Sequence, residues 1–306
     1  MSVPAGRVAA GVVAVVPAKD EEERVGATIA ALRRIPAVTH VVVVDDGSSD
    51  QTATVAEWAG GVDVVRHGHN RGKSAALETG AARAAELAPG APLLFADADL
   101  QDSAANLSAV VEPVLAGMAD MTIAVLPPQD RPGGGFGIVV RTAREGISRL
   151  TGWAPQQPLS GQRCLTREAF DGALPLAAGW GVEVGLTIDV LRGGGRVMEV
   201  PCELHHRVTG RDLGAQVHRA RQLADVARAV ADRSGVPDRV REGGLAGARV
   251  VREQTSRLAG QARERGGPLV ERAKERGAPL VDRARERGGP TLDQVRRRLR
   301  GGWHEL

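Results

Sequence analysis

Short unbroken apolar runs alternate along this chain with longer stretches in which apolar residues recur at helical spacing. Residues 12–16, 40–44, 62–66 and 93–95 are runs of the first kind, and each reads as a buried strand. Between them lie predicted helices over 25–32, 52–58 and 73–87; the first stops near Pro36 and the second opens after Asp50, a good N-cap residue. Strand and helix alternate at a spacing of roughly 25–30 residues, which argues for βαβ units on a mostly parallel sheet. Further on, helices are expected over 105–116, 139–150, 167–173, 182–191 and 213–231, and strands over 121–126, 159–166 and 196–204. Residues 127–137 form a Pro- and Gly-rich loop, PPQDRPGGGFG. The fold class is α/β, with a body over 1–237 and an appendage over 238–306.

Polar chemistry collects where these strands end. Leu93-Leu94-Phe95 leads into Asp97, Asp99 and Asp102, and in open α/β sheets ligands bind at the carboxyl ends of strands. On a continuing strand Asp97 and Asp99 point to one face, which suits a hard divalent cation shared with substrate phosphates. A solvated acidic turn is the plain alternative. Pro17-Ala18-Lys19-Asp20-Glu21-Glu22 follows the first strand and offers backbone and carboxylates to a base or ribose, or simply acids to a helix start. Asp45-Asp46-Gly47-Ser48 follows the second, where a carboxylate accepts from a uracil imide or a ribose hydroxyl, or closes an Asx-turn. Asn70-Arg71-Gly72-Lys73-Ser74 opens a helix; Gly72 permits close approach and Lys73 supplies a point charge near a diphosphate. Gly68 and Gly72 imitate a P-loop, but three residues separate them where that loop needs four, and the stretch follows the third strand.

Composition adds bounds. Hydrophobic residues make up 42% of the 306, enough for a core, but aromatics are only 2% and Tyr is absent, so Val, Ala and Leu must fill it. Lysine occurs only at Lys19, Lys73 and Lys274. Cys164 and Cys202 are too few for a disulfide framework, which points to a reduced cytoplasmic setting. No run approaches the ~18 apolar residues of a membrane span, so any membrane contact is peripheral. The net charge of +3 hides an asymmetry: residues 239–306 carry 17 Lys+Arg against 9 Asp+Glu, leaving the body mildly acidic. Three segments in that tail, 262–272, 273–283 and 284–294, repeat at a period of 11 and keep Leu269, Val270, Ala273, Leu280, Val281 and Ala284 on one helical face. Each repeat also holds Gly and Pro, so the tail reads either as a flexible charged segment or as a basic amphipathic binder of anionic lipid or a partner. Nucleic acid is not expected, since aromatics for stacking are scarce. A homodimer is also open to the chain.

Four motifs in order, VVPAKDEEERVGATIAAL, VVVVDDGSSDQTATVA, NRGKSAALETG and LLFADADLQD, resemble the nucleotide-sugar domain of family 2 glycosyltransferases of the GT-A fold over about residues 10–125. The resemblance implies a nucleotide-sugar donor held by Pro17, Ala18, Lys19, Glu21, Asp45, Asp46 and Gly72. It implies Mg²⁺ or Mn²⁺ on Asp97 and Asp99, flanking Ala98, with Lys73 close to the phosphates. Pro158-Leu159-Ser160-Gly161 and Gly179-Trp180-Gly181-Val182-Glu183 are similar to segments of glucosyl-3-phosphoglycerate synthases. That likeness places Glu183 beside the anomeric centre, Asp189 behind the same wall, and His206, with His205 as fallback, as the third metal ligand. Gly134, Gly135, Gly161, Trp180 and Gly181 would face a small phosphorylated acceptor. Lys73, Glu183 and Asp102 are the catalytic candidates, Asp102 as an alternative base. The chain departs from that family at 133–138, which lacks the expected Arg and Thr although Arg131 and Arg141 flank it, and at Val208, where an Asn is expected. A polyprenyl-phosphate glycosyltransferase working at the membrane surface is the alternative, and a non-catalytic nucleotide-sugar-binding scaffold a lesser one.

Overall fold

A computed structural model describes residues 11–127, 137–204 and 213–235. The first half runs β1 (Val12–Ala18), α1 (Val25–Leu32), β2 (Val38–Asp45), α2 (Thr52–Trp58), β3 (Asp63–Arg66), α3 (Lys73–Leu87) and β4 (Leu93–Phe95). A 3₁₀ turn over Gln101–Leu107 leads into α4 (Ser108–Leu115), then β5 (Met121–Val125), α5 (Ile138–Thr151), β6 (Arg163–Leu165), α6 (Arg167–Gly172), α7 (Val182–Arg192), β7 (Val197–Pro201) and α8 (Leu213–Arg233). The strands form one sheet in the order β3-β2-β1-β4-β6-β5-β7, parallel except for β6, which runs against both β4 and β5.

Strand periodicity sorts the core onto two faces. Val12, Ala14 and Val16 pack with Ile29, Leu32 and Val110 on one side; Val13 and Val15 pack with Leu77, Phe95 and Leu186 on the other. A third apolar cluster joins α5, α7 and α8 through Ile147, Ile188 and Val226. Among the described residues no helix is long and apolar enough to cross a membrane.

Three expectations change. The helix expected over 105–116 is split, because the Ser103 hydroxyl donates to the Leu100 carbonyl at 2.6 Å and tightens the first turn into 3₁₀ form. The strand expected over 159–166 shrinks to three residues, because the buried Arg163 guanidinium grips the carbonyls of Pro158 and Ser160 and holds that segment as a turn. The cap position of α2 is Gln51, not Asp50, although the Asp50 carboxylate still accepts from Thr52 N at 2.9 Å.

The chain steps outward from β1 to β2 and β3, then returns to β4 on the other side of β1. That reversal opens a crevice beyond the carboxyl ends of β1 and β4, the usual ligand position in such sheets.

Candidate active site

The strand-end turns meet at this crevice and wall a cavity of about 350 Å³. Pro17, Ala18 and Lys19 come from the end of β1, and Asp46 from the turn after β2. Asn70, Gly72 and Lys73 follow β3, Asp97 follows β4, and Gly179 and Trp180 close the wall from the turn before α7.

Lys73, the first residue of α3, is the electrostatic centre. Its Nζ lies 2.8 Å from Asp97 Oδ1 and 3.0 Å from Glu183 Oε1. Burial pulls its pKa down, but the two carboxylates outweigh burial and hold it above the ordinary lysine range, so the ammonium stays charged. Glu183 is 7% exposed in the first turn of α7. Its backbone carbonyl accepts from Thr187 Oγ1, which in turn accepts from Arg163 Nη1 at 2.8 Å.

Asp97 and Asp99 do not continue a strand, since β4 ends at Phe95. They flank the buried Ala98 on a turn fixed by Thr28: its Oγ1 donates to Ala98 O at 2.7 Å and accepts from Gln101 N at 2.8 Å. Both aspartates are half-buried and offer hard oxygen donors of the kind Mg²⁺ and Mn²⁺ prefer. Among the described residues no three His, Cys, Asp or Glu side chains gather as a complete ligand set. His205 and His206 lie outside the described residues, as do Gly134, Gly135, Arg131, Val208 and the repeat tail.

The turn before β6 supplies groups that sequence reasoning missed. Gln162 is 4% exposed and donates its amide to Asp97 Oδ2 at 2.8 Å. Its Oε1 and the Ser160 hydroxyl are buried without a hydrogen-bond partner among the described residues. Arg163 is 1% exposed, and burial lowers its pKa to about 10 against the upward pull of Glu183 and Glu199. An arginine inside the apolar run Arg163-Cys164-Leu165 was the signal available for it. Gly161, expected on the acceptor side, packs against the Lys73–Asp97 pair: a Cβ there would stand 2.5 Å from Lys73 Nζ. Gly181 is buried against α8 near Ala229, while Trp180 is 40% exposed.

The first two motifs are largely zipped to each other. Ser49 N donates to Asp20 Oδ1 at 2.7 Å, Glu21 N to Thr52 Oγ1 at 2.8 Å and Gln51 N to Glu22 Oε2 at 2.8 Å. The Glu21 carboxylate pairs with Arg24 at 3.1 Å and does not line the cavity. Asp45 accepts from Ser48 N at 3.1 Å, three residues on, so its carboxylate is engaged within its own turn. Asp46 faces the cavity, yet both its oxygens serve the chain, accepting from Arg71 N and Gly72 N at 2.8 Å each. Those two amides are spent on a carboxylate, which also removes the phosphate cradle a P-loop would need. Asp102 stands apart, highly exposed and paired with Arg34 at 3.0 Å. Asp189 also stands apart; it clamps Arg233 of α8 through Nε at 2.7 Å.

Residues 13–162 match the family model for glycosyl transferase family 2. An uncharacterised protein of Methanocaldococcus jannaschii is 35% identical over 159 residues, 51% of this chain and 64% of that one, so the chain spans under two thirds of its length. Glucosyl-3-phosphoglycerate synthase of Mycolicibacterium smegmatis is 28% identical over 237 residues, covering 70% of this chain and 72% of the enzyme. The crystal structure of glucosyl-3-phosphoglycerate synthase from Mycobacterium tuberculosis with Mn²⁺, UDP and phosphoglyceric acid superposes with a TM-score of 0.62 at 26% identity, covering 76% of this chain and 80% of that one.

Proposed function

Residues 13–162 are a family 2 glycosyltransferase domain of the GT-A fold, and from that premise we propose that the chain transfers a hexose from a nucleotide-sugar donor, UDP-glucose or a close analogue, to a small phosphorylated acceptor. The observation that carries this reading is the Lys73 ammonium held between Asp97 and Glu183 at the wall of a strand-end cavity. The relative from Mycobacterium tuberculosis, similar over most of the chain, binds Mn²⁺, UDP and phosphoglyceric acid, which supports the same ligand classes here.

Asp97 and Asp99, with His206 by resemblance, would hold Mg²⁺ or Mn²⁺, which when bound neutralises charge on the departing diphosphate. Lys73 turns its fixed charge on the same leaving group, acting where negative charge builds in the transition state. Gln162 keeps the Asp97 carboxylate aimed. Glu183 sets a carboxylate next to Lys73, where it orients the acceptor hydroxyl or takes its proton. Trp180 gives the sugar an apolar face.

The test is a donor-by-acceptor screen with Mn²⁺, read by mass spectrometry, with 3-phosphoglycerate and polyprenyl phosphate among the acceptors. The lipid arm is included because residues 133–138 carry no cation to grip a phosphoglycerate. A hexosylated phosphoglycerate that disappears in Asp97→Asn and Asp99→Asn is expected. Full activity in either variant sinks the metal assignment, and a lipid-linked product alone moves the acceptor to the membrane.

A further inference from the structure

His67 follows β3, is 9% exposed, and has no part in the chemistry above. Its Nδ1 lies 2.7 Å from Asp46 Oδ1, and its Nε2 lies 3.0 Å from Thr79 Oγ1 on α3 and 3.4 Å from Arg71 Nη1. The ionised Asp46 carboxylate only accepts, so Nδ1–H donates to it. The charged groups with hydrogen-bond contacts to the ring are Asp46 and Arg71.

Asp46 in turn shapes the turn that launches Lys73. Its two oxygens take the amides of Arg71 and Gly72, and Gly72 has φ 91°, a conformation open to glycine, immediately before Lys73. Burial pushes the Asp46 carboxyl up, but the His67 hydrogen bond and the two amides pull harder and keep it ionised below the usual range. One ring thus ties the end of β2, the Arg71–Gly72 turn and α3 into a single strut.

We infer that His67 is a positioning residue for the donor site, acting through Asp46 to fix the turn from which Lys73 reaches the diphosphate. The inference rests on Lys73 serving the donor diphosphate, as proposed above. A histidine that only packs would change thermal stability; one that positions Lys73 must also lose its influence once Lys73 is gone.

That difference is read by isothermal titration of UDP, at saturating Mn²⁺, into the full-length chain and its variants. His67→Leu is expected to weaken UDP about tenfold, the loss of one charge-assisted hydrogen bond. His67→Asn, whose amide sits where Nδ1 sits, is expected to bind within about threefold of the native chain, a small fraction of that loss. In a Lys73→Ala background, His67→Leu should add less than about twofold, the mark of coupled residues. Should His67→Leu not fold, His67→Gln carries the same cycle, since its longer amide misses the Nδ1 position. Equal losses in both backgrounds, no loss in His67→Leu, or an Asn variant as weak as Leu would overturn the inference. UDP binding undiminished by Lys73→Ala alone overturns the donor-site assignment itself.

Discussion

A methyl group at Gly161 would stand 2.5 Å from Lys73 Nζ and 3.2 Å from Asp97 Oδ2. Gly161→Ala should therefore push the ammonium off Asp97 without touching the core, and weaken a charge-assisted contact worth about 1.5–3 kcal/mol. The expected outcome is a loss of about 10- to 100-fold in kcat/KM for the donor, with Tm shifted little, measured by steady-state kinetics beside differential scanning calorimetry. Asp97 was legible because it stands where the apolar run Leu93–Phe95 gives way to charge, and Lys73 because it follows Gly72 at the start of a helix. Glu183 was legible only through the resemblance of Gly179–Leu186 to a family segment. Thr28, Gln162 and Arg163 were not, because their roles come from residues far along the chain: Thr28 holds a turn about Ala98, and Gln162 holds Asp97. Arg163 breaks the local rule that a short apolar strand excludes charge, and such breaks are expected where a fold builds a site.

Elements were most legible where an apolar stripe is bounded by clear turn signals. The helices α1, α2 and α3 stand at their expected bounds, since each has an apolar stripe closed by a turn signal. Short elements were harder, because three residues of β6 carry too little pattern to show that the preceding Pro158–Ser160 turn is held by Arg163. Arg163→Met removes the donor to two carbonyls and to Thr187, leaving buried acceptors unpaired at about 1–3 kcal/mol. The expected result is a lower midpoint in urea unfolding together with weaker catalysis, because the same turn carries Gly161 and Gln162. The α7–α8 contact gives the contrasting case. The family likeness puts Asp189 in support of the wall that carries Glu183, while in the structure its carboxylate clamps Arg233 in a two-nitrogen pair. Asp189→Asn should cost about 1–2 kcal/mol and lower Tm by about 2–6 °C while kcat is kept. Loss of turnover at unchanged Tm would return Asp189 to the site.

At the scale of the whole molecule, several carboxylates that join separate loops ionise more readily folded than unfolded. Lys19 and then the Ser49 amide bring Asp20 down to about 2. Asp46, Asp50 and Asp120 are also lowered, with burial opposing in each; His67, Thr52 and Arg196 respectively are the leading partners. A carboxylate with a depressed folded pKa adds stability above its unfolded value, and that stability is lost as pH falls through the folded one. Melting temperature should therefore hold from neutrality to about pH 4 and fall from there towards pH 2, and Asp120→Asn should shallow that fall. Among the described residues, the members of the three apolar clusters and the seven strands lie between Val12 and Val230. The expectation from the sequence is that the body over 1–237 folds without the basic repeats over 262–294. Truncation after Pro237 is expected to leave Tm and UDP affinity unchanged, and turnover with a soluble acceptor with them. If the repeats bring the body to anionic lipid, truncation abolishes sedimentation with phosphatidylserine vesicles in the same preparation. Collapse of folding in the truncated chain would instead make the tail part of the core.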